Sequence, residues 1–326
     1  MSALTILSDE EQSYFDAIKD FAKKEITPHV AAMDEAQQVN KDIVKKLFDM
    51  GLMGIEVPQS LEGSEASFFT AILAVQAVSQ VDPSVGVMVD VQNTLVNNAF
   101  MRWGSDALKK KYLPQLATGK VGSYCLSESS SGSDAFALKT KAAKKGDKYI
   151  LNGQKLWITN AGEADIFIII ANLNPEVGYK GITAFVVERG FKGFSVSKKE
   201  NKLGIRASST CELVLEDCEV PLENLLGEEG KGYKVAIETL NEGRIGIGAQ
   251  MVGLAEAALN HAVEYVKTRN QFGKPIASFQ GMQFQLAQMA IDVETAKLMV
   301  YNAARLKDAG KDFVKEAAMA KYHSSQ

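Results

Sequence analysis

The chain has 326 residues, of which 46% are hydrophobic and 23% charged, with a formal net charge of -4 at pH 7. This length allows about two domains with a substantial core, and the charge balance favours neither a disordered chain nor a nucleic-acid-binding surface. Cys125, Cys211 and Cys218 lack CxxC or Cys/His spacing, which favours packing roles in a reducing compartment and no metal site. The apolar runs are too short to cross a bilayer and no targeting segment is evident, so we expect no membrane insertion.

The N-terminal part has a helical pattern up to about residue 119. Ser8 and Glu11 form a capping box, and apolar residues then recur on one face, namely Phe15, Ile18 and Ala22. We expect Pro28 to end this helix. A second helix is predicted over 41–50 with Gly51 as its stop, and Asp82-Pro83 predicts the start of a third that reaches about Trp103.

Near Gly122 the hydrophobic period changes from helical to alternating, which indicates a domain boundary. Asn152-Gly153 between 148–151 and 155–158 predicts a hairpin, and further strands are predicted over 165–171, 182–187 and 211–215. After about residue 232 helices return with two apolar stripes. The stripes are Met251, Leu254, Ala255, Ala258, Ala262 and Val266, and Met282, Leu286, Met289, Val293 and Ala296.

We therefore predict an α+β fold in three parts. Residues 1–121 form an N-terminal all-α domain, residues 122–232 a middle antiparallel β-barrel-like domain, and residues 233–326 a C-terminal helical bundle that is incomplete. The order all-α, all-β, all-α narrows the choice of fold more than any single helix does.

Three segments could carry chemistry. In the first, a strand enters a loop rich in hydroxyl and small residues, which can cradle a phosphate or a flavin edge although a plain surface loop is the usual explanation. It comprises Tyr124, Cys125, Leu126, Ser127, Glu128, Ser129, Ser130, Ser131, Gly132, Ser133 and Asp134. In the second, Trp157, Ile158 and Thr159 end a strand, where an indole can stack on a ring system, although most such residues are core.

The third candidate is Asn241-Glu242-Gly243-Arg244, placed by the pattern at a helix start, followed by Arg269 and Gln280. Arg269 and Gln280 could hold a diphosphate and a polar group near an adenine, although exposed Arg and Gln are usually only solvated.

Together, the order and spacing of these motifs resemble the acyl-CoA dehydrogenase family over the whole chain. The matching patterns are Tyr-Cys-x-x-Glu-x-x-x-Gly-Ser-Asp, Gly-x-Lys-x-Trp-Ile-Thr-Asn and Arg-x-Gln-Phe-Gly-Lys-x-x-x-x-Phe-Gln. Within the family the chain is most similar to the short/branched-chain type, through Gly-Tyr-Lys-Gly-Ile-Thr from Gly178 and Leu-Asn-Glu-Gly-Arg-Ile-Gly-Ile from Leu240.

The resemblance implies bound FAD. Tyr124 to Ser133 and Trp157 to Thr159 would face the flavin and its ribityl chain, and Arg269 and Gln280 would reach the FAD of a neighbouring subunit in a homotetramer. The acyl-CoA would contact Ser133, Tyr179, Tyr233 and the segment Asn241, Glu242, Gly243 and Arg244.

The implied reaction is α,β-dehydrogenation of an acyl-CoA thioester, with electrons passed on to electron-transferring flavoprotein. The family's usual catalytic Glu would lie beyond Gln326, so no catalytic residue is assigned here and we expect the chain to be a truncated form. An alternative family position for that Glu is Gly243, and Glu242 would point about 100° away from it. We expect Glu242 to be a first-turn carboxylate or a CoA contact.

Two other functions stay open. A catalytically silent isoform that binds FAD or acyl-CoA would also lack the base, and an acyl-CoA oxidase would pass electrons to oxygen. A mitochondrial matrix location follows from the family resemblance and from no signal in this chain.

Overall fold

The computed structural model describes residues 4–326. Contacts within the chain divide these residues into two compact units. The first comprises residues 4–30, Phe68–Val87 and Arg244–Gln326, and the second comprises Ala31–Ser67 and Met88–Gly243. The mixed α+β class is confirmed, since helices occupy both ends of the chain and the strands of a sheet come between them in the sequence. The three-part domain boundaries stay a prediction.

Seven α-helices precede the sheet among the described residues. They are α1 (Asp9–Phe21), α2 (Val30–Ala36), α3 (Lys41–Asp49), α4 (Phe68–Ser79), α5 (Pro83–Asp90), α6 (Asn98–Trp103) and α7 (Asp106–Thr118). The capping box of α1 is confirmed: the Glu11 N–H donates to Ser8 Oγ at 3.2 Å, and the Ser8 N–H donates to Glu11 Oε2 at 3.0 Å. Ser8 and Glu11 thus satisfy two backbone donors at the helix start.

The prediction that Pro28 ends the first helix is wrong. Residues 22–26 continue as a π-helical turn and residues 27–29 as a 3-10 turn that runs into α2. Pro28 lies in the first turn of that 3-10 segment, where a missing N–H costs no hydrogen bond. The proline therefore marks a change of helix type and not a stop.

The helix predicted from Asp82-Pro83 is confirmed, with a π-helical segment (Val91–Asn97) joining α5 to α6. Asp82 Oδ1 accepts from the Ser84 N–H at 2.7 Å at the start. The π-helical segment carries buried polar side chains, and a side-chain amide of this segment hydrogen-bonds to the backbone of a neighbouring loop. Asn93 Nδ2 donates to the Leu52 carbonyl at 2.8 Å, and Asn93 Oδ1 accepts from the Ile55 N–H at 3.0 Å.

The second unit contains an eight-stranded sheet with the order β6-β7-β3-β2-β4-β5-β8, and β1 pairs with β4 off this path. The strands are β1 (Gly122–Cys125), β2 (Lys141–Lys145), β3 (Lys148–Thr159), β4 (Ile166–Asn172), β5 (Ile182–Glu188), β6 (Phe194–Lys199), β7 (Thr210–Pro221) and β8 (Leu225–Leu226). Most pairings are antiparallel, as predicted, but β1 and β2 run parallel to β4. The sheet is open and does not close into a barrel.

The hairpin predicted at Asn152-Gly153 is wrong, because β3 runs straight through these residues. The turn lies earlier, where Lys145 pairs with Lys148 and Gly146 has a φ of +62°. Asn152 instead lies at a bulge, and its Oδ1 accepts from the Asp217 N–H at 2.8 Å. An Asn-Gly pair fits a bulge as well as a turn, since both use unusual backbone angles.

The last part of the chain is helical, with α8 (Gly232–Thr268), a short hairpin of β9 (Asn270–Gln271) and β10 (Lys274–Pro275), α9 (Gln280–Asp308) and α10 (Val314–Ser324). Of the two predicted apolar stripes, Val266 and Ala296 are buried, whereas Leu254 and Met289 remain 44% and 38% exposed. Much of both stripes is therefore open to solvent. Across the described residues, the longer helices are too polar to meet the requirements of a bilayer-spanning segment.

Candidate active site

The segment 124–134, hereafter the Ser loop, leaves β1 with its first side chains buried. Cys125 is fully buried, and burial raises the pKa of its thiol. Tyr124 is also buried; its hydroxyl lies 3.5 Å from the Val235 carbonyl of α8, and burial raises its pKa. The exposed residues come later, at Ser129, Ser130, Gly132 and Ser133. This later part offers exposed hydroxyls to a ligand.

Glu128 has protein partners for its carboxylate, although the sequence assigned it to a cofactor. Its Oε1 lies 2.6 Å from Lys155 Nζ, with 6% of the Glu128 side chain and 0% of the Lys155 side chain exposed. Burial alone would raise the pKa of Glu128, but the Lys155 charge and hydrogen bonds lower it below its ordinary value. Burial lowers the pKa of Lys155, against the attraction of Glu128. Sequence reasoning missed Lys155, whose one signal is its place in the Gly-x-Lys-x-Trp motif.

Trp157 lies at a bulge of β3, hereafter the Trp bulge (Lys155–Ile158). Lys155 pairs with Leu213 and Ile158 pairs with Cys211, so two residues of β3 face one residue of β7. Trp157 has a φ of +57° and is 55% exposed, whereas Ile158 is buried. A non-glycine residue in this region costs about 1–3 kcal/mol and is often found at functional sites. The bulge therefore aims a large aromatic ring into solvent.

The Ser loop and the Trp bulge are bonded together. The Leu156 N–H donates to the Ser127 carbonyl at 2.9 Å. Next to the two segments, Ser123 Oγ of β1 donates to the carbonyl of Thr159, the last residue of β3, at 2.9 Å. The structure thus brings together two segments that the sequence analysis singled out separately.

An aromatic cluster lies in the same unit. The Tyr179 and Tyr233 rings are 5.0 Å apart at an interplanar angle of 82°, and Phe136 lies 6.3 Å from Tyr179 and 6.4 Å from Tyr233. Tyr179 is 47% exposed. The two predicted tyrosines are therefore neighbours, and Phe136 is a third member that sequence reasoning missed. Its signal is its position three residues after Ser133.

The segment Asn241 to Gly243 does not start a helix, which corrects the sequence-based expectation. Since α8 begins at Gly232, the N-terminal dipole does not account for Glu242. Instead, Asn98 Nδ2 donates to Glu242 Oε2 at 2.7 Å, and Arg102 lies 3.7 Å from Glu242 Oε1. A Cβ added at Gly243 would lie 2.5 Å from Leu95 Cδ2, so Leu95 fills the space beside this glycine.

Arg244, Arg269 and Gln280 belong to the first unit. Arg269 and Gln280 flank the β9–β10 hairpin and are exposed. At the tip of this hairpin, Phe272 is 92% exposed with a φ of +52°, and its ring meets Phe279 edge-on at 6.0 Å.

Three domain models of one family match the chain in order. Residues 8–120 match the acyl-CoA dehydrogenase N-terminal domain, residues 123–218 the middle domain, and residues 230–326 the C-terminal domain. The chain belongs to the acyl-CoA dehydrogenase family. It is therefore related to flavoprotein oxidoreductases.

The relatives of this acyl-CoA dehydrogenase family member include proteins of the short/branched-chain type. The probable short/branched chain specific acyl-CoA dehydrogenase of Dictyostelium discoideum is 54% identical over 324 residues, which are 99% of this chain and 78% of that protein. The mitochondrial short/branched chain specific acyl-CoA dehydrogenase of Rattus norvegicus is 49% identical over 323 residues, 99% of this chain and 75% of that protein.

Among solved structures, butyryl-CoA dehydrogenase from Megasphaera elsdenii superposes with a TM-score of 0.96 at 42% identity. The match covers 98% of this chain and 85% of that chain. The acyl-CoA dehydrogenase fold is thus present over nearly all of this chain.

Proposed function

We propose that this protein catalyses the FAD-dependent α,β-dehydrogenation of short or branched-chain acyl-CoA thioesters to 2-enoyl-CoA, and that it passes the electrons to electron-transferring flavoprotein. The observation that carries the proposal is the joining of the Ser loop to the Trp bulge. Two separate segments share hydrogen bonds and a buried ion pair, and each presents exposed groups, namely hydroxyls on the Ser loop and the Trp157 indole at the Trp bulge.

The donor set of these segments fits a flavin. An isoalloxazine ring has an apolar face and a polar edge, and an indole beside hydroxyls and backbone amides matches both. Space is available as well, because a Cβ added at Gly132 would meet no atom within 4 Å. Bound FAD would supply the acceptor for the hydride that leaves the β-carbon.

In this proposal Trp157 stacks on the ring system, and Thr159 with the exposed serines of the Ser loop donates to its polar atoms. Cys125 and Glu128 contribute through their backbone only, since their side chains are buried. Arg269 and Gln280 reach the FAD of a neighbouring subunit, which the exposed Phe272 hairpin supports. This assignment requires an oligomer, and we propose a homotetramer by family resemblance.

For the acyl-CoA we propose Ser133, Tyr179, Tyr233 and the segment Asn241, Glu242, Gly243 and Arg244, and we add Phe136 because its ring lies 6.3 Å from that of Tyr179. The aromatic cluster would position the thioester and exclude water. An α-proton is too weakly acidic for an unaided base, so donors to the thioester carbonyl must accompany a carboxylate of raised pKa. Glu242 is a poor candidate for that base, because Asn98 and Arg102 already hold its carboxylate.

The mitochondrial name of the rat relative supports a mitochondrial location, and the similarity to short/branched-chain relatives supports the substrate class. The electron-transferring partner follows from the family resemblance alone.

The test is anaerobic reduction. The protein is reconstituted with FAD, 2-methylbutyryl-CoA is added, and the oxidised flavin band is followed, with butyryl-CoA and a long-chain acyl-CoA for comparison. We expect the band to disappear, and to disappear fastest with the short branched thioester. Re-oxidation by electron-transferring flavoprotein and not by oxygen separates a dehydrogenase from an oxidase.

The second candidate, a silent binding isoform, is favoured by the partnered state of Glu242. Retained FAD with tight acyl-CoA binding and no bleaching would support it. Failure to retain any FAD under these conditions would contradict both functions.

A further inference from the structure

We propose that the buried Glu128–Lys155 ion pair is a positioning device for the cofactor, fixing the Ser loop against the Trp bulge so that both face one ligand. This inference rests on the proposed function, since it takes FAD as the ligand. Neither residue would touch the flavin through its side chain.

The pair makes more contacts than an ion pair alone. Lys155 Nζ also donates to the Leu126 carbonyl at 3.1 Å. The Glu128 carboxylate accepts from the backbone N–H groups of Lys139 at 2.6 Å and Thr140 at 3.1 Å. The two charged groups therefore tie the start of the Ser loop, where it leaves β1, to the segment that enters β2.

The bonds are also consecutive. Lys155 holds the Leu126 carbonyl and the Glu128 carboxylate, while the neighbouring Leu156 N–H holds the Ser127 carbonyl. Three successive residues of the loop are thus held by two successive residues of the Trp bulge. Any shift of the bulge along β7 would break all of these bonds together.

Stability alone is a weak explanation for this arrangement. Burying two charges is costly, and well-packed apolar residues often stabilise a fold as well as a buried pair does, whereas fixing one register among several is the better-attested role. The register of the Trp bulge against the Ser loop also fixes Trp157. This residue follows directly after Lys155 and Leu156, and it has a left-handed backbone and an exposed ring.

The experiment compares Lys155→Met, Glu128→Gln and the double variant. Both the melting temperature of the FAD-free protein and the dissociation constant for FAD, from quenching of flavin fluorescence, are measured. Lys155→Met leaves a buried carboxylate without its cation, so the melting temperature should fall and the dissociation constant for FAD should rise. The double variant removes both charges, so its melting temperature should recover by more than half.

The FAD affinity should not recover in the double variant, because the Leu126 carbonyl still lacks its donor. We expect its dissociation constant to stay at least about tenfold above the parent value, a loss typical of misplaced site residues, with an altered visible spectrum of the bound flavin. Recovery of FAD affinity together with the melting temperature would overturn the inference, as would parent-like affinity in Lys155→Met. If Lys155→Met does not fold, the double variant decides alone.

Lys148→Met is the matched control, since Lys148 lies on the same strand and pairs with Glu219, but with both side chains partly exposed. Its FAD affinity should equal that of the parent. If the parent itself does not bind FAD, both the proposed function and this inference fail; if it binds and Lys155→Met binds equally well, only the inference fails.

Discussion

Asn98 donates its side-chain amide to Glu242 Oε2 at 2.7 Å and to Glu56 Oε1 at 2.9 Å. The amide thus joins a carboxylate of α8 to one in the segment before α4, and Arg102 lies near the second oxygen of Glu242. The carboxyl group of Glu242 is therefore buried and held in place by its partners.

From this relationship we predict that Glu242→Gln retains the rate of flavin bleaching by 2-methylbutyryl-CoA within about threefold, because loss of a true general base costs about 10²–10⁴-fold. The free energy of unfolding should fall by about 1 kcal/mol through loss of the contact with Arg102. Stopped-flow absorbance and urea titration measure the two effects. A hundredfold slower bleaching in a folded variant would make Glu242 the base after all.

Leu95 and Gly243 supply a second prediction. Gly243→Ala should destabilise the protein by about 1–2 kcal/mol, because its Cβ would displace Leu95 from its rotamer. In a Leu95→Ala background the same change should stabilise, since alanine is the better helix former by about 1 kcal/mol. Denaturant unfolding of the four proteins gives the coupling energy. Equal effects in both backgrounds would show that Leu95 does not fill this space.

Asp90 makes unfolding depend on pH. It is buried, and burial raises its pKa to about 7, against a lowering hydrogen bond from Thr94. The folded state thus keeps a proton that the unfolded state releases near its ordinary pKa of about 4. Stability from this group therefore falls as pH rises from about 4 to 7 and then levels off.

Asp90→Asn should remove this pH dependence, and the Asn Oδ1 can still accept from Thr94. The free energy of unfolding of the variant should therefore exceed that of the parent by about 2–4 kcal/mol above pH 7. Unfolding free energies at pH 5 and pH 8 check the sign. If the free energies of unfolding of the two proteins changed equally between pH 5 and pH 8, Asp90 would not be protonated in the folded state at pH 5.

Phe136 should matter for acyl-CoA and not for FAD. Removing its ring with Phe136→Ala costs aromatic contacts of about 0.5–1.5 kcal/mol, so the dissociation constant for acyl-CoA should rise about 3–10-fold by the same energy. Calorimetric titration with acyl-CoA measures this, and FAD affinity should be unchanged. Val177→Ala, in the same segment as Tyr179 but outside the cluster, should bind like the parent; equal losses in both variants would argue against a specific role for the ring.

Local sequence signals predicted the helix starts well. The caps at Ser8 and at Asp82 depend only on residues within a few positions in the sequence. Both caps form as expected. Asn152-Gly153 failed because a glycine with an unusual φ fits a bulge as well as a turn, and only the distant partner strand β7 decides between them.

The site shows the same division. The motifs singled out the Ser loop and Trp157 as candidates, but the contacts of Lys155 and Phe136 form only when the chain is folded. The helix start predicted at Asn241 is wrong, because α8 begins at Gly232 and continues through Gly243 with Leu95 packed beside it.

The Trp bulge also constrains the length of β3. Side chains alternate along a strand, so the extra residue reverses which face every later residue occupies. Lys155 and Ile158 are both buried although three positions apart, a spacing that regular alternation forbids. Removing one residue between them would give a regular strand in which both side chains still face inward and the pairing with Leu213 and Cys211 is kept. Such a deletion should therefore preserve the sheet but abolish the bulge and the outward projection of the Trp157 ring.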